Sequence, residues 1–381
     1  MSETSENSDE GVYPYYRTLR QENPVCIGVG GFWQVARYSD VQQLLRDNRT
    51  FSSDVSTRPP DERGPSMLFS DPPLHNRLRK LVSYAFKPGH IESQHDLISE
   101  KCDELMKTMC QQEDVDLVEA LAAPLPVTVI ARMLGVEDGN LGVFKHWSDT
   151  IFSNIAEILF AQPDESVMQA AAEMDAYFLE RIAGIRKTPV DNLLGRLVET
   201  ETEEGRLSNQ ELLSFCRLLL IAGNETTTGL ITGCVRVFDE MPETFTALKQ
   251  DRTLIPSFIE ETLRFYSPFS ATVRRTTCET ELAGTLLPKG VLVVPLIASA
   301  NRDESVFERA GEFIIDRDPN PHLAFGYGIH NCLGAHLARL EGRIAVASMV
   351  NALDEISITE EDRTQFNRLG GPEKLQVKLK M

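Results

Sequence analysis

The chain has 381 residues, 42% hydrophobic, 25% charged and 7% aromatic, enough apolar content to bury a sizeable core and to exclude whole-chain disorder. Its 57 acidic against 38 basic residues leave a formal charge of -19, which opposes phosphate binding and excludes nucleic acid as an expected partner. Seven scattered cysteines form no C-x-x-C pair and seven histidines no H-E-x-x-H, which excludes a disulfide framework and a protein-only metal site.

The chain starts on MSETSENSDE, polar and acidic, the reverse of a leader peptide, and residues 1–12 are expected to be a flexible acidic tail. No uninterrupted apolar run approaches the ~18 residues that span a bilayer, so the expectation is a cytoplasmic protein without a membrane anchor. Phe32 to Tyr38 alternates as a strand, and Ser39 before DVQQLLRDN predicts an N-capped helix. Residues 52–73, with Pro59, Pro60, Pro65, Pro72 and Pro73, predict a long functional loop.

Helical spacing then dominates, near 75–86, 91–111, 117–134, 141–160, 165–186, 190–200, 209–239, 243–249 and 254–265. Strands are predicted at Ala271–Thr277, Glu281–Ala283, Val291–Leu296 and Lys374–Lys380. No repeat or linker divides the pattern, so the expected fold is mainly α with a minor β-sheet region, in a single domain.

Ser208-Asn209-Gln210-Glu211 has the form of a capping box and opens the longest helix. Inside its apolar stretch LLLIAG is followed by Asn224, Glu225, Thr226, Thr227 and Thr228, a polar insertion that costs stability unless hydrogen-bonded or hydrated. A kink satisfied by water and a functional site fit that insertion equally. Glu261 and Arg264 stand at i and i+3, ordinarily the spacing of an exposed ion pair.

Near the C-terminus, FGYGIHNCLGA precedes HLARLEGRIAVASMVNAL, a long helical pattern. Cys332 therefore sits at a helix start, where the dipole and free N–H groups stabilise a thiolate, and Gly326 and Gly328 permit tight turns. A buried inert thiol beside an ordinary turn is the competing account. The third glycine and the Walker lysine of phosphate loops are missing.

The segment F-G-x-G-x-H-x-C-L-G-x-x-L-A-R resembles the haem-binding signature of cytochrome P-450 monooxygenases. The resemblance runs from about Tyr13 to the C-terminus through DPPLHNRLRKLVSYAF, LLLIAGNETTT, EETLRFYSP and ANRDESVF, and looks most like the soluble bacterial and archaeal branch. It implies the cytochrome P-450 fold, haem b (iron protoporphyrin IX) as cofactor and Cys332 as the axial thiolate on iron.

It further implies His75, Arg79, Arg274 and His330 as partners of the haem propionates, with Thr272 beside Arg274 as an additional haem contact. Glu225 and Thr226 match the acid-alcohol pair, the acid delivering protons and the hydroxyl bonding dioxygen or its water. Glu261 and Arg264 match a buried structural ion pair. The basic residue frequent near the Glu312 position is missing here, and Arg317 is the substitute.

A haem domain that fills the chain implies electrons from a ferredoxin and its reductase, with Arg77, Arg79, Lys80 and Lys87 as the docking footprint. Leu219, Ala222, Phe269, Ala271 and Val273 imply an apolar small-molecule substrate, with residues 67–69 and 151–160 as lid elements. The implied reaction is dioxygen activation and insertion of one oxygen atom. A peroxide-driven peroxygenase and a non-enzymatic haem-thiolate sensor are the alternatives.

Overall fold

The computed structural model describes residues 11–57, 64–136, 138–154, 157–158, 161, 163–202, 205–361 and 371–381. Most of the expected acidic tail, Pro59 and Pro60 of the long loop and residues 155, 156, 159 and 160 of the expected lid lie outside them. The main helices in chain order are α1 (Tyr13–Glu22), α2 (Tyr38–Arg46), α3 (Leu74–Ala85), α4 (His95–Met109), α5 (Pro124–Met133) and α6 (Leu141–Ser153). They continue with α7 (Glu165–Lys187), α8 (Leu193–Glu199), α9 (Asn209–Glu240), α10 (Pro242–Gln250), α11 (Ile255–Phe265) and α12 (Ala335–Ala352). The sheets are small, so the mainly α fold class holds.

Several boundaries moved for local reasons. The helix expected over 117–134 divides into a π-turn at Val118–Ala122 and α5, because Pro124 has no N–H to continue the ladder. Ser39 does not cap α2. The N-cap is Arg37, and the free N–H of Tyr38 donates to the buried carboxylate of Asp303 at 2.8 Å, so the cap comes from 265 positions away in the chain. The predicted capping box of α9 does form: Ser208 N–H donates to Glu211 Oε2 at 2.8 Å and Glu211 N–H to Ser208 Oγ at 3.3 Å.

The chain divides into two compact units. The first comprises residues up to Phe51, Ser99–Pro124 and Glu225–Met381. Its mixed sheet pairs β1 (Val25–Ile27) with β2 (Trp33–Val35) antiparallel. Val293 of β7 (Leu292–Pro295) pairs with Trp33 in parallel and with Arg274 of β4 (Arg274–Thr276) antiparallel, and between them in the chain β5 (Thr280–Leu282) and β6 (Thr285–Leu287) form an antiparallel hairpin. Val35, Val41, Leu44, Val293, Ile297 and Phe307 form a continuous core between α2 and this sheet. Around α11, Phe258 stacks on Phe238 of α9 with centroids 5.2 Å apart.

A second sheet of this unit joins β3 (Asp114–Asp116), β8 (Glu355–Glu361) and β9 (Leu375–Lys380). Only β9 was expected, although Ile356 and Ile358 carry the alternation of a strand. The other unit comprises Ser52–Ile98 and Leu125–Asn224. Its core is aromatic: Phe144 and Trp147 of α6 pack on Tyr177 and Phe178 of α7, with centroids 5.8 Å apart for Phe144–Phe178. By length and apolarity alone α9 passes as a membrane span, but 67% of its most apolar stretch is buried in the protein, the pattern of a core helix.

Candidate functional site

The Cys332 loop belongs to the first unit. Gly326 (φ 70°) and Gly328 (φ 76°) adopt the left-handed backbone that L side chains rarely enter. Gly328 has a second reason to be glycine, since a Cβ there would stand 2.7 Å from the Leu45 carbonyl oxygen. Cys332 N–H donates to Phe325 O at 2.8 Å and closes the loop. The turn Gly328–His330 is 3-10, and α12 starts at Ala335 with Gly334 as N-cap. Cys332 thus precedes the helix by a short connector, a correction to its expected place at the helix start, and it is exposed.

Arg274 is 8% exposed and donates from Nη1 to Thr272 Oγ1 at 3.3 Å and to Val273 O at 2.8 Å. The structure therefore brings Thr272 and Arg274 together, although Thr272 lies before the strand, whose hydrogen-bonded part is shorter than expected. His330 is the last residue of the 3-10 turn and is half-buried. In the other unit His75 and Arg79 lie one turn apart on α3. His75 is 1% exposed and its Nδ1–H donates to Asn76 Oδ1 at 3.3 Å, while Arg79 is half-buried.

Of the basic residues on and just after α3, Arg77 turns onto the Glu211 carboxylate and donates to Arg206 O at 3.0 Å. Burial pushes the Glu211 carboxyl up, but the bonds from Arg77 and Ser208 more than offset it and hold it below the usual range. Lys87 Nζ lies 3.9 Å from the centroid of the Tyr84 ring.

Glu225 and Thr226 are both half-buried on α9, which runs unbroken through the polar insertion. Neighbouring polar groups find tertiary partners: Asn224 Nδ2 donates to Ser148 Oγ at 3.2 Å within one unit, and Thr228 Oγ1 to Ala122 O at 3.0 Å within the other. These bonds remove much of the cost of polar groups in an apolar helix.

Glu261 and Arg264 form a fully buried pair, with bonds of 2.7 and 2.8 Å and 0% exposure on each side. Arg317 is the third partner, donating from Nε to both Glu261 oxygens at 3.0 Å, and Asn320 Nδ2 donates to Oε2 at 3.1 Å. Glu312 contributes its backbone carbonyl, which accepts from Arg264 Nη2 at 2.8 Å. The network ties α11 to the segment that leads into the Cys332 loop.

Sequence reasoning missed Glu341 of α12, the one charged residue on the buried face of that helical pattern. It is 1% exposed; its carboxyl bonds to Thr227, while Oε1 has no hydrogen-bond partner among the described residues. Burial pushes its pKa from 4.5 up to about 8, with the Thr227 bond pulling weakly the other way. The folded state therefore keeps a proton that the unfolded state releases above about pH 4.5. This contribution to stability is complete below that pH, falls as pH rises, and is lost through pH 8. Glu341→Gln removes the titration. Its urea stability relative to wild type is expected to rise steadily from pH 5 to 8, and a pH-independent difference would contradict a neutral Glu341.

Comparison with known proteins fits this arrangement. Residues 236–374 match the Cytochrome P450 family. The chain is 36% identical over 374 residues to the putative cytochrome P450 YjiB of Bacillus subtilis, covering 96% of this chain and 93% of that protein. It is 34% identical to a steroid C26-monooxygenase of Mycobacterium tuberculosis, covering 91% and 87%. Among solved structures it is similar to CYP109E1 from Bacillus megaterium in complex with testosterone, with a TM-score of 0.86, 35% identity and coverage of 97% and 99%. With a mainly helical fold, a glycine-shaped loop presenting Cys332 and relatives that align along almost its whole length, the chain belongs to the haem-b-binding cytochrome P450 monooxygenases.

Proposed function

We propose that the protein takes two electrons from a separate ferredoxin and its reductase, activates dioxygen and inserts one oxygen atom into an apolar small molecule. The observation that carries this reading is the Cys332 loop, where left-handed glycines and the Phe325 carbonyl hold an exposed sulfur in one place. Its residues fit haem b. The sulfur is the soft anionic donor such iron takes, and Cys332 is exposed rather than packed into the core.

When bound, the haem supplies the redox centre at which dioxygen is reduced and split, with the thiolate favouring O–O cleavage. Cys332 is assigned as the residue that would hold the haem iron through its sulfur. Following the family resemblance, Arg274 and His330 are assigned to a haem propionate as hydrogen-bond donors, and His75 and Arg79 are each assigned the same role. Thr272 orients Arg274 through the 3.3 Å bond. Glu225 is assigned to carry protons inward and Thr226 to pass them on through its hydroxyl.

Leu219, Ala222, Phe269, Ala271 and Val273 are assigned to the substrate, and their apolar character favours a steroid-like or comparably apolar molecule, in line with the names of two relatives. Arg77, Arg79, Lys80 and Lys87 are assigned as the basic footprint for an acidic ferredoxin. We assign the protein to the cytoplasm. Turnover of a steroid panel with NADH, ferredoxin and reductase under labelled dioxygen is expected to place one labelled atom in the product. Product formed only with added peroxide, and never from dioxygen, would establish the peroxygenase instead.

A further inference from the structure

Glu260 and Glu261 are consecutive on α11, yet each holds a different piece of the chain. Glu261 serves the buried network with Arg264. Glu260 receives a two-pronged bond from Arg339 of α12, Nε to Oε1 at 2.7 Å and Nη2 to Oε2 at 2.8 Å. It also accepts from His322 Nε2 at 3.1 Å. The Ala324 N–H donates to His322 Nδ1 at 3.3 Å, so Nδ1 is the acceptor and the ring proton sits on Nε2, aimed at the carboxylate.

Phe325 lies between these partners. Its ring centroid is 6.0 Å from that of His322 and 4.4 Å from the Arg339 guanidinium carbon, and its carbonyl receives the Cys332 N–H at 2.8 Å. Following the contacts from Glu260 through His322, Phe325, Cys332 and α12 to Arg339 returns to Glu260. Burial pushes the Glu260 carboxyl up, but bonds from Arg339 and His322 override it and bring it to about 2, so the carboxylate stays charged at any working pH.

We propose that Glu260 is a positioning residue for the haem ligand, which acts through Arg339 and His322 to hold Phe325 and, through the Phe325 carbonyl, the backbone of Cys332. The proposal rests on Cys332 being that ligand. The Glu260 and Arg339 side chains are each 31% exposed, so solvent screens part of what the pair contributes to folding. Outer partners of a metal ligand, by contrast, commonly change metal-site affinity about 10- to 100-fold.

The test uses haem-loaded wild type, Arg339→Lys and Glu260→Gln. Lysine keeps the charge but loses the planar fork and its stacking on Phe325. Haem dissociation and decay of the red-shifted ferrous–CO band are expected to be about tenfold faster or more in both variants, beyond what any fall in their urea midpoints accounts for. Rates equal to wild type in both variants would overturn the proposal. A midpoint that falls in proportion to the rates would make the cluster merely structural and overturn it too. A wild type that lacks the red-shifted band would refute the ligand assignment itself, a failure visible before any variant is compared.

Discussion

Replacing Glu261 with alanine is expected to destabilise the protein by about 3 to 5 kcal/mol, because Arg264, fully buried, then keeps its charge without a carboxylate. Against the about 5 to 15 kcal/mol that holds a typical domain, that loss removes most of the folded population under mild denaturant. Arg317→Ala is expected to cost less, about 1.5 to 3 kcal/mol, since Glu261 retains Arg264, Asn320 and the Ile314 N–H at 2.8 Å. Urea unfolding of both variants checks the order. A Glu261→Ala protein within 1 kcal/mol of wild type would contradict a buried network that depends on this carboxylate.

Thr226→Ala is expected to separate electron consumption from product. NADH oxidation continues, while product per NADH falls at least about tenfold and peroxide accumulates, since general acid–base groups commonly contribute 10²- to 10⁴-fold. Thr226→Ser keeps a hydroxyl on the same Cβ and is expected to recover most of the coupling. The measurement is the ratio of product and peroxide to NADH consumed. Undiminished coupling in Thr226→Ala would remove Thr226 from proton delivery.

What the sequence made legible was local chemistry. Ser208 and Glu211 are three residues apart, and their reciprocal bonds form as the pattern predicts. Gly326 and Gly328 occupy left-handed backbone for the reason glycine is needed in a tight loop. The Glu261–Arg264 spacing alone reads as an exposed pair, and its burial and the Arg317 partner were legible only through the family resemblance; Asn320, 59 positions from Glu261, was not legible at all. Ser39 misled for the same reason, the helix start being satisfied by Asp303. Arg339 closes the signature that the sequence displays, but its pairing with Glu260 and the convergence of His322 on the same carboxylate emerged only from the fold.

The most direct test of the account is the ferrous–carbon monoxide spectrum of the purified, haem-loaded protein beside its Cys332→Ser variant. A sulfur anion opposite CO should give wild type the strongly red-shifted Soret band and leave the variant without it. A wild type without that band, or a serine variant that keeps it, would contradict the assignment of Cys332 as the haem ligand.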